Sequence, residues 1–206
     1  DAVFLCNPNN PTGRTIHPAL LEDIRLVCQK KSVWPFVDEC FLDLAEGGQS
    51  LRGRLGPGEK LFLLRAFTKT FSMAALRLGY GLCGDSGLLS EMARRSQPWN
   101  VSLPAQLAGV AALEDQDYLV RSRALIRAER RYLAAALAAL GLRVCPSDAN
   151  YLLFRGPADL KGQLLARGIL IRDCSNYRGL GPGWYRAAVK LPEENRRLAE
   201  ALRHIL

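Results

Sequence analysis

No apolar run in this sequence is long enough to cross a membrane, and no charged segment followed by an apolar one stands at its start. It therefore reads as a chain with no membrane partner and no targeting segment. Six cysteines (Cys6, Cys28, Cys40, Cys83, Cys145, Cys174) are scattered, several inside apolar runs, and they form no metal-ligand spacing. That spacing argues against a thiolate-built metal centre, and so many free thiols point to a reducing, cytoplasmic compartment. A basic stripe interleaved with aromatics is also missing. The formal charge of +8 comes mainly from arginines spread over segments that carry Glu and Asp as well. Nucleic acid is therefore not the expected partner. What remains is ordinary for a globular protein: 206 residues, 49% hydrophobic and 23% charged, enough for one large or two small cores.

The chain is organised around LFLLRAFTKTFSMAALRLGY, from Leu61 to Tyr80, with Lys69 at its centre. The apolar run Leu61 to Leu64 reads as a buried strand of the parallel type, ending just before the lysine. Open α/β sheets keep their ligands at that end of their strands. Phe67 and Phe71 flank Lys69, and partial desolvation by them would favour its neutral amine, the form that attacks a carbonyl. Arg77 follows in LRLGY, which reads as the start of the next strand. Two further strands end in the same way. Ala2 to Cys6 runs into the turn NPNNPTG, and Val33 to Val37 delivers Asp38 and Glu39. Three strands in a row thus end in an amide, a carboxylate and a lysine.

In that order and spacing the sequence resembles the fold type I pyridoxal-phosphate (PLP) enzymes, and within them the class I/II aminotransferases. The resemblance implies an α/β fold: part of a large domain with a mostly parallel sheet flanked by helices, plus a small C-terminal α/β domain. It implies PLP as cofactor. Lys69 matches the lysine joined covalently to the cofactor aldehyde, and Asp38 the aspartate that keeps the pyridinium nitrogen protonated. Asn10 matches the amide that donates to the phenolic oxygen, and Arg77 the arginine that meets the phosphate, where a guanidinium fork suits a dianion. Two positions depart from the pattern: Ala66 stands where a Ser or Thr usually helps hold the phosphate, and Phe41 where many members have a tyrosine. The phosphate would then need Thr68 or a group outside this chain, and the phenolic oxygen would lean more on Asn10.

Taken in order, His17 and Pro18 open a helix through about Lys31, with Leu20, Leu21, Ile24, Val27 and Cys28 on one face. His17 reads as a helix-start residue. A Gly-rich loop from Gly47 to Gly58 should be exposed and mobile. Strand Gly79 to Cys83 and a helix from Ser86 to Arg95 lead to SQPWNVSLPAQ, where Pro98 and Pro104 break the helical pattern around Trp99. Trp99 reads equally well as a buried hinge aromatic or as part of an entrance or subunit-contact segment. Helices follow at Ala105 to Glu114 and Asp117 to Leu140. Beyond them come strands at Leu142 to Cys145, Tyr151 to Phe154, Ile169 to Arg172 and Trp184 to Val189, with a helix near Ala158 to Arg167 and another from Pro192. The expected organisation is 1–116 as the C-terminal part of the large domain, 117–140 as an interdomain helix, and 141–206 as the small domain. By resemblance, the first part of the large domain would precede Asp1, so the chain reads as a C-terminal portion that is poorly active by itself.

Three pieces of the last third, ANYLLFR, GILIRDCSNYRGL and WYRAAVK, resemble the threonine-phosphate decarboxylases of cobalamin biosynthesis, relatives of the histidinol-phosphate aminotransferases. The resemblance implies a small phosphorylated amino-acid substrate and a homodimer. Arg186 matches the arginine that holds the substrate α-carboxylate, a task suited to bidentate geometry. Arg172 is then placed at the phosphate end, with Asn150 and Tyr177 lining the pocket. Decarboxylation of L-threonine O-3-phosphate is the leading expectation, transamination of the histidinol-phosphate type the second. A non-catalytic PLP-binding regulatory domain is the third.

Overall fold

The computed structural model describes residues 1–206, the side chain of Gln116 excepted. Its contacts divide the chain into two compact units. One comprises Asp1–Pro8, Thr15–Asp43 and Gly47–Leu119; the other Asn9–Arg14, Leu44–Glu46 and Val120–Leu206.

The first unit is built on a four-stranded sheet, β1 (Ala2–Cys6), β2 (Trp34–Asp38), β3 (Phe62–Ala66) and β4 (Gly79–Cys83), in that order. The first three strands are parallel and β4 returns antiparallel. Register pairs Cys6 with Asp38 and Asp38 with Leu64, so the C-terminal ends of β1, β2 and β3 share one edge. Along β2, Pro35 and Val37 are buried while Phe36 and Asp38 are half-exposed, the period-2 alternation of a strand. A core of Leu21, Val37, Leu51, Leu61 and Leu63 lies on the Val37 side.

Helix α1 (Pro18–Lys30) opens at His17 with Pro in its first turn, as its sequence indicates. Its buried stripe, however, is Leu21, Arg25 and Cys28, whereas Leu20 and Val27 are each 54% exposed. Arg25 can be buried because Glu22 (2.9 Å) and Glu59 (2.6 Å) take its guanidinium. The Gly47 to Gly58 loop is also more fixed than its composition indicates. It contains a 3-10 helix at Leu51–Arg54, Leu51 is buried, and Ser50 and Leu51 donate to the Glu39 carboxylate at 2.7 and 3.0 Å.

After β4 come α3 (Ser86–Arg95), α4 (Leu103–Glu114) and α5 (Gln116–Ala139). Pro104 starts α4 instead of breaking a helix: it lies in the first turn, where a missing N–H costs nothing. Trp99 is 97% exposed with φ 58°, which excludes the buried-hinge reading.

The second unit holds an antiparallel sheet ordered β5 (Arg143–Val144), β6 (Tyr151–Arg155), β8 (Trp184–Ala188), β7 (Arg172–Asp173). The segment before Arg172, read as strand from Ile169, joins the sheet only at its last residue. Helices α6 (Leu160–Leu165) and α7 (Pro192–Arg203) complete it. Leu133 and Leu137 of α5, Leu152 and Phe154 of β6, Tyr185 of β8 and Leu202 of α7 fill one core. Tyr185 and Ala187 face that core, so Trp184, Arg186 and Ala188 present the other face of β8. Among the described residues, no helix is long and apolar enough to cross a membrane.

Candidate active site

The sheet edge of the first unit gathers Asp38, Lys69 and Arg77. Asp38 ends β2, and its Oδ1 accepts the Cys40 N–H at 2.9 Å, an Asx turn that fixes the carboxylate's orientation. Lys69 lies in the four-residue helix α2 (Phe67–Thr70) that follows β3 directly. It is exposed, and its Nζ stands 5.7 Å from the centroid of the Phe41 ring. Phe67 and Phe71 do not enclose it. They are four residues apart on one side of the turn, with rings 5.4 Å apart, and Lys69, two residues from each, points elsewhere. Aromatics at i±2 flank a lysine in a strand, but not in a helical turn.

Arg77 precedes β4 by two residues and does not belong to the strand. Its backbone is left-handed (φ 54°), and its Nη1 donates to the carbonyl of Ala74 at 3.0 Å. A non-glycine residue held there costs about 1 kcal/mol and is a common mark of ligand clamps. Ala66, at the N-cap of α2, offers no side-chain cap.

The second unit carries the remaining residues. The turn after β1, with both Asn-Pro bonds cis, packs from Asn9 to Arg14 with this unit. Asn10 Oδ1 accepts from Arg186 Nη1, and also from the Tyr177 hydroxyl at 3.4 Å. With its oxygen engaged, the Asn10 amide presents an NH2 donor at its other end. Arg186 also stacks on Tyr151, 5.1 Å from guanidinium to ring centroid. Sequence reasoning missed Tyr151 as a part of this cluster. It is 2% exposed, and its hydroxyl donates to the Asn9 carbonyl at 2.9 Å, tying the turn to β6. Its place at the start of ANYLLFR, next to Asn150, was the available signal.

Arg172 and Arg186 are direct cross-strand partners between β7 and β8, so both arginines project from the same sheet face. Arg172 is exposed and contacts Asn176 at 3.5 Å. Asn150 Oδ1 is buried without a partner, while its backbone carbonyl accepts from Val189 N at 2.8 Å. Behind Asn150, the buried Arg130 binds the carbonyls of Asp148 and Ala149 and pairs with Glu46.

Chemically, the first unit offers an amine for an aldehyde, a carboxylate for a protonated ring nitrogen and a guanidinium for a phosphate. The second offers paired guanidiniums for anions. The family description "Aminotransferase class I and II" matches residues 1–202. The chain belongs to this family. Class I and II aminotransferases depend on PLP, and the donor set at the sheet edge suits that cofactor group by group. Two relatives are about equally similar to this class I/II chain. The threonine-phosphate decarboxylase of Salmonella typhimurium is 37% identical, aligned over all of this chain and 58% of its own length. The histidinol-phosphate aminotransferase of Methanothermobacter thermautotrophicus is 37% identical over 97% of the chain and 54% of its own length. Among solved structures, the histidinol-phosphate aminotransferase from Clostridium acetobutylicum superposes with a TM-score of 0.93 at 30% identity, covering all of this chain and 64% of that one. The chain thus spans little more than half the length of these curated relatives.

Proposed function

We propose that this chain supplies much of the machinery of a PLP-dependent decarboxylase that converts L-threonine O-3-phosphate to an aminopropanol phosphate for cobalamin biosynthesis. The observation that carries this reading is the cross-strand pair Arg172 and Arg186. Like charges directly opposite on one sheet face repel, and a substrate with two anionic groups on one small molecule relieves that repulsion. Threonine phosphate has both a carboxylate and a phosphate; histidinol phosphate has the phosphate alone.

PLP, when bound, supplies an electron sink for the bond that breaks at the substrate α-carbon. Lys69 would hold the cofactor aldehyde covalently and would transfer a proton at the substrate α-carbon. Asp38 would keep the ring nitrogen protonated, Asn10 would donate to the phenolic oxygen, and Arg77 would meet the phosphate. Arg186, already braced by Asn10 and Tyr151, is assigned the α-carboxylate, and Arg172 the substrate phosphate. Asn150 and Tyr177 are assigned to the substrate as well. Arg186 and Arg172 would orient the carboxylate for loss as CO2, and Lys69 would supply the proton that replaces it at the α-carbon. In the transaminase alternative the same residues would hold the substrate, and Lys69 would remove the α-proton instead. Residues 1–116 would form part of the cofactor-binding domain, 117–140 the link and 141–206 the small domain of a homodimeric enzyme.

A transaminase acting on histidinol phosphate is the second reading, supported by the TM-score of 0.93 to an enzyme of that name. The test uses the intact protein with PLP and L-threonine O-3-phosphate, with and without a 2-oxo acid. CO2 and an aminopropanol phosphate without any acceptor are expected. A keto acid formed without CO2 would establish the transaminase. Borohydride reduction and peptide mapping should find the cofactor on Lys69; a label on another lysine removes that assignment.

A further inference from the structure

Directly past the end of β2 lies a group that the proposed chemistry does not use. Glu39, the residue after Asp38, is fully buried. Its carboxylate accepts from Arg65 at 3.0 Å, from Ser50 Oγ at 2.7 Å and from Leu51 N at 3.0 Å. Arg65 lies near the end of β3, one residue before Ala66, where α2 begins. Its side chain is 9% exposed, and the fork reaches Asp43 at 2.7 Å and Ser50 at 3.2 Å as well as Glu39. The backbone joins in: Glu39 N donates to the Leu64 carbonyl at 2.9 Å.

We propose that the buried Glu39–Arg65 pair is a positioning device that locks the end of β2 to the end of β3 and thereby sets the Asp38 carboxylate against the Lys69 amine. The inference rests on the PLP reading above.

The local structure of Lys69 makes such a device necessary. Helix α2 is a single turn, its N-cap Ala66 lacks a capping side chain, and a turn of that length has no stability of its own. It sits where the end of β3 sits. On the other strand, Asp38 is oriented through the Cys40 N–H, one residue past Glu39. Both groups therefore depend on backbone that the ion pair holds. A rigid planar fork serves two carboxylates and a hydroxyl in fixed geometry, whereas a lysine ammonium on its flexible stem holds them as a point charge without fixing their directions. Sites whose supporting contacts loosen by about 1 Å lose function while still present.

The test compares the intact protein with Arg65→Lys, which keeps the charge, and with the double variant Glu39→Gln/Arg65→Met, which leaves no buried unpaired charge and so keeps folding accessible. Far-UV circular dichroism checks folding. The readouts are the Kd for PLP and the pH midpoint of the bound cofactor's absorption band. Both folded variants should bind PLP about tenfold or more weakly, in the range seen when outer contacts of a site are removed, and should shift the midpoint. A control substitution of equal burial away from the edge, Leu21→Val, should change neither. Folded variants with an unchanged Kd and midpoint would overturn the positioning role while leaving the PLP reading intact. An unsubstituted protein that develops no cofactor band would overturn both.

Discussion

Arg77 shows how much a single residue can carry. Its left-handed backbone is a conformation in which glycine is at ease and arginine is not. Arg77→Gly should therefore leave stability unchanged or raise it by up to about 1 kcal/mol. The same change should weaken PLP binding by about tenfold or more, the scale of one lost charge-assisted hydrogen bond. Thermal melts of the apoprotein and PLP titration check the two halves separately, and weaker stability with unaltered PLP binding would remove Arg77 from the phosphate site. Cys40 supplies a pH argument. Burial, and then the neighbouring Asp38 carboxylate, push its thiol up to about 12 from an ordinary 9.0. The folded state thus holds the proton more tightly than the unfolded state. The stability this represents is complete below about pH 9 and is lost as the pH rises towards 12. Cys40 should also resist iodoacetamide at pH 8 in the folded protein and react once it is unfolded, which mass spectrometry of the labelled peptides would read.

Among the elements, helix ends were more legible than helix faces. Pro18 in the first turn marks α1 and Asp85 marks α3 directly, because the orphan N–H groups there need a partner or none at all, whereas the Ser102 cap of α4 was missed when Pro104 was read as a break. Asp85 caps α3 through Leu88 N at 2.9 Å, so Asp85→Ala should cost about 1 kcal/mol in chemical denaturation. A cost near zero would mean that the cap is replaced by water. The inner face of α1 was misread because apolarity alone chose Leu20 and Val27, whereas the buried stripe includes Arg25. A buried arginine is legible only with its carboxylates, and Glu59 lies thirty-four residues away in sequence. The same holds for the Gly-rich loop. Its composition indicates mobility, and what pins it is Glu39, just past the end of β2.

For the whole molecule, the order of strands and the residues at their ends were readable from local pattern. Apolar runs, turn residues and the alternation of buried positions are short-range properties, and they identified an α/β chain with Asp38, Lys69 and Asn10 after successive strands. The site's donor types were readable for the same reason, since each has a fixed chemistry wherever it falls. What the chain order does not contain is which groups meet. Asn10 follows β1 of the first sheet, yet it packs with the second unit, where Arg186, 176 residues on, donates to its oxygen. Arg172 and Arg186 read as separate arginines until β7 and β8 pair them across one face. Lys69 reads as enclosed by two phenylalanines until a helical turn puts those rings on another side. The sequence by itself determined the elements and the chemistry available to them, because both follow from side-chain type and short spacing. The tertiary structure alone decided the pairings, the buried Glu39–Arg65 link among them, because contacts between distant residues follow from how strands register and which faces they share.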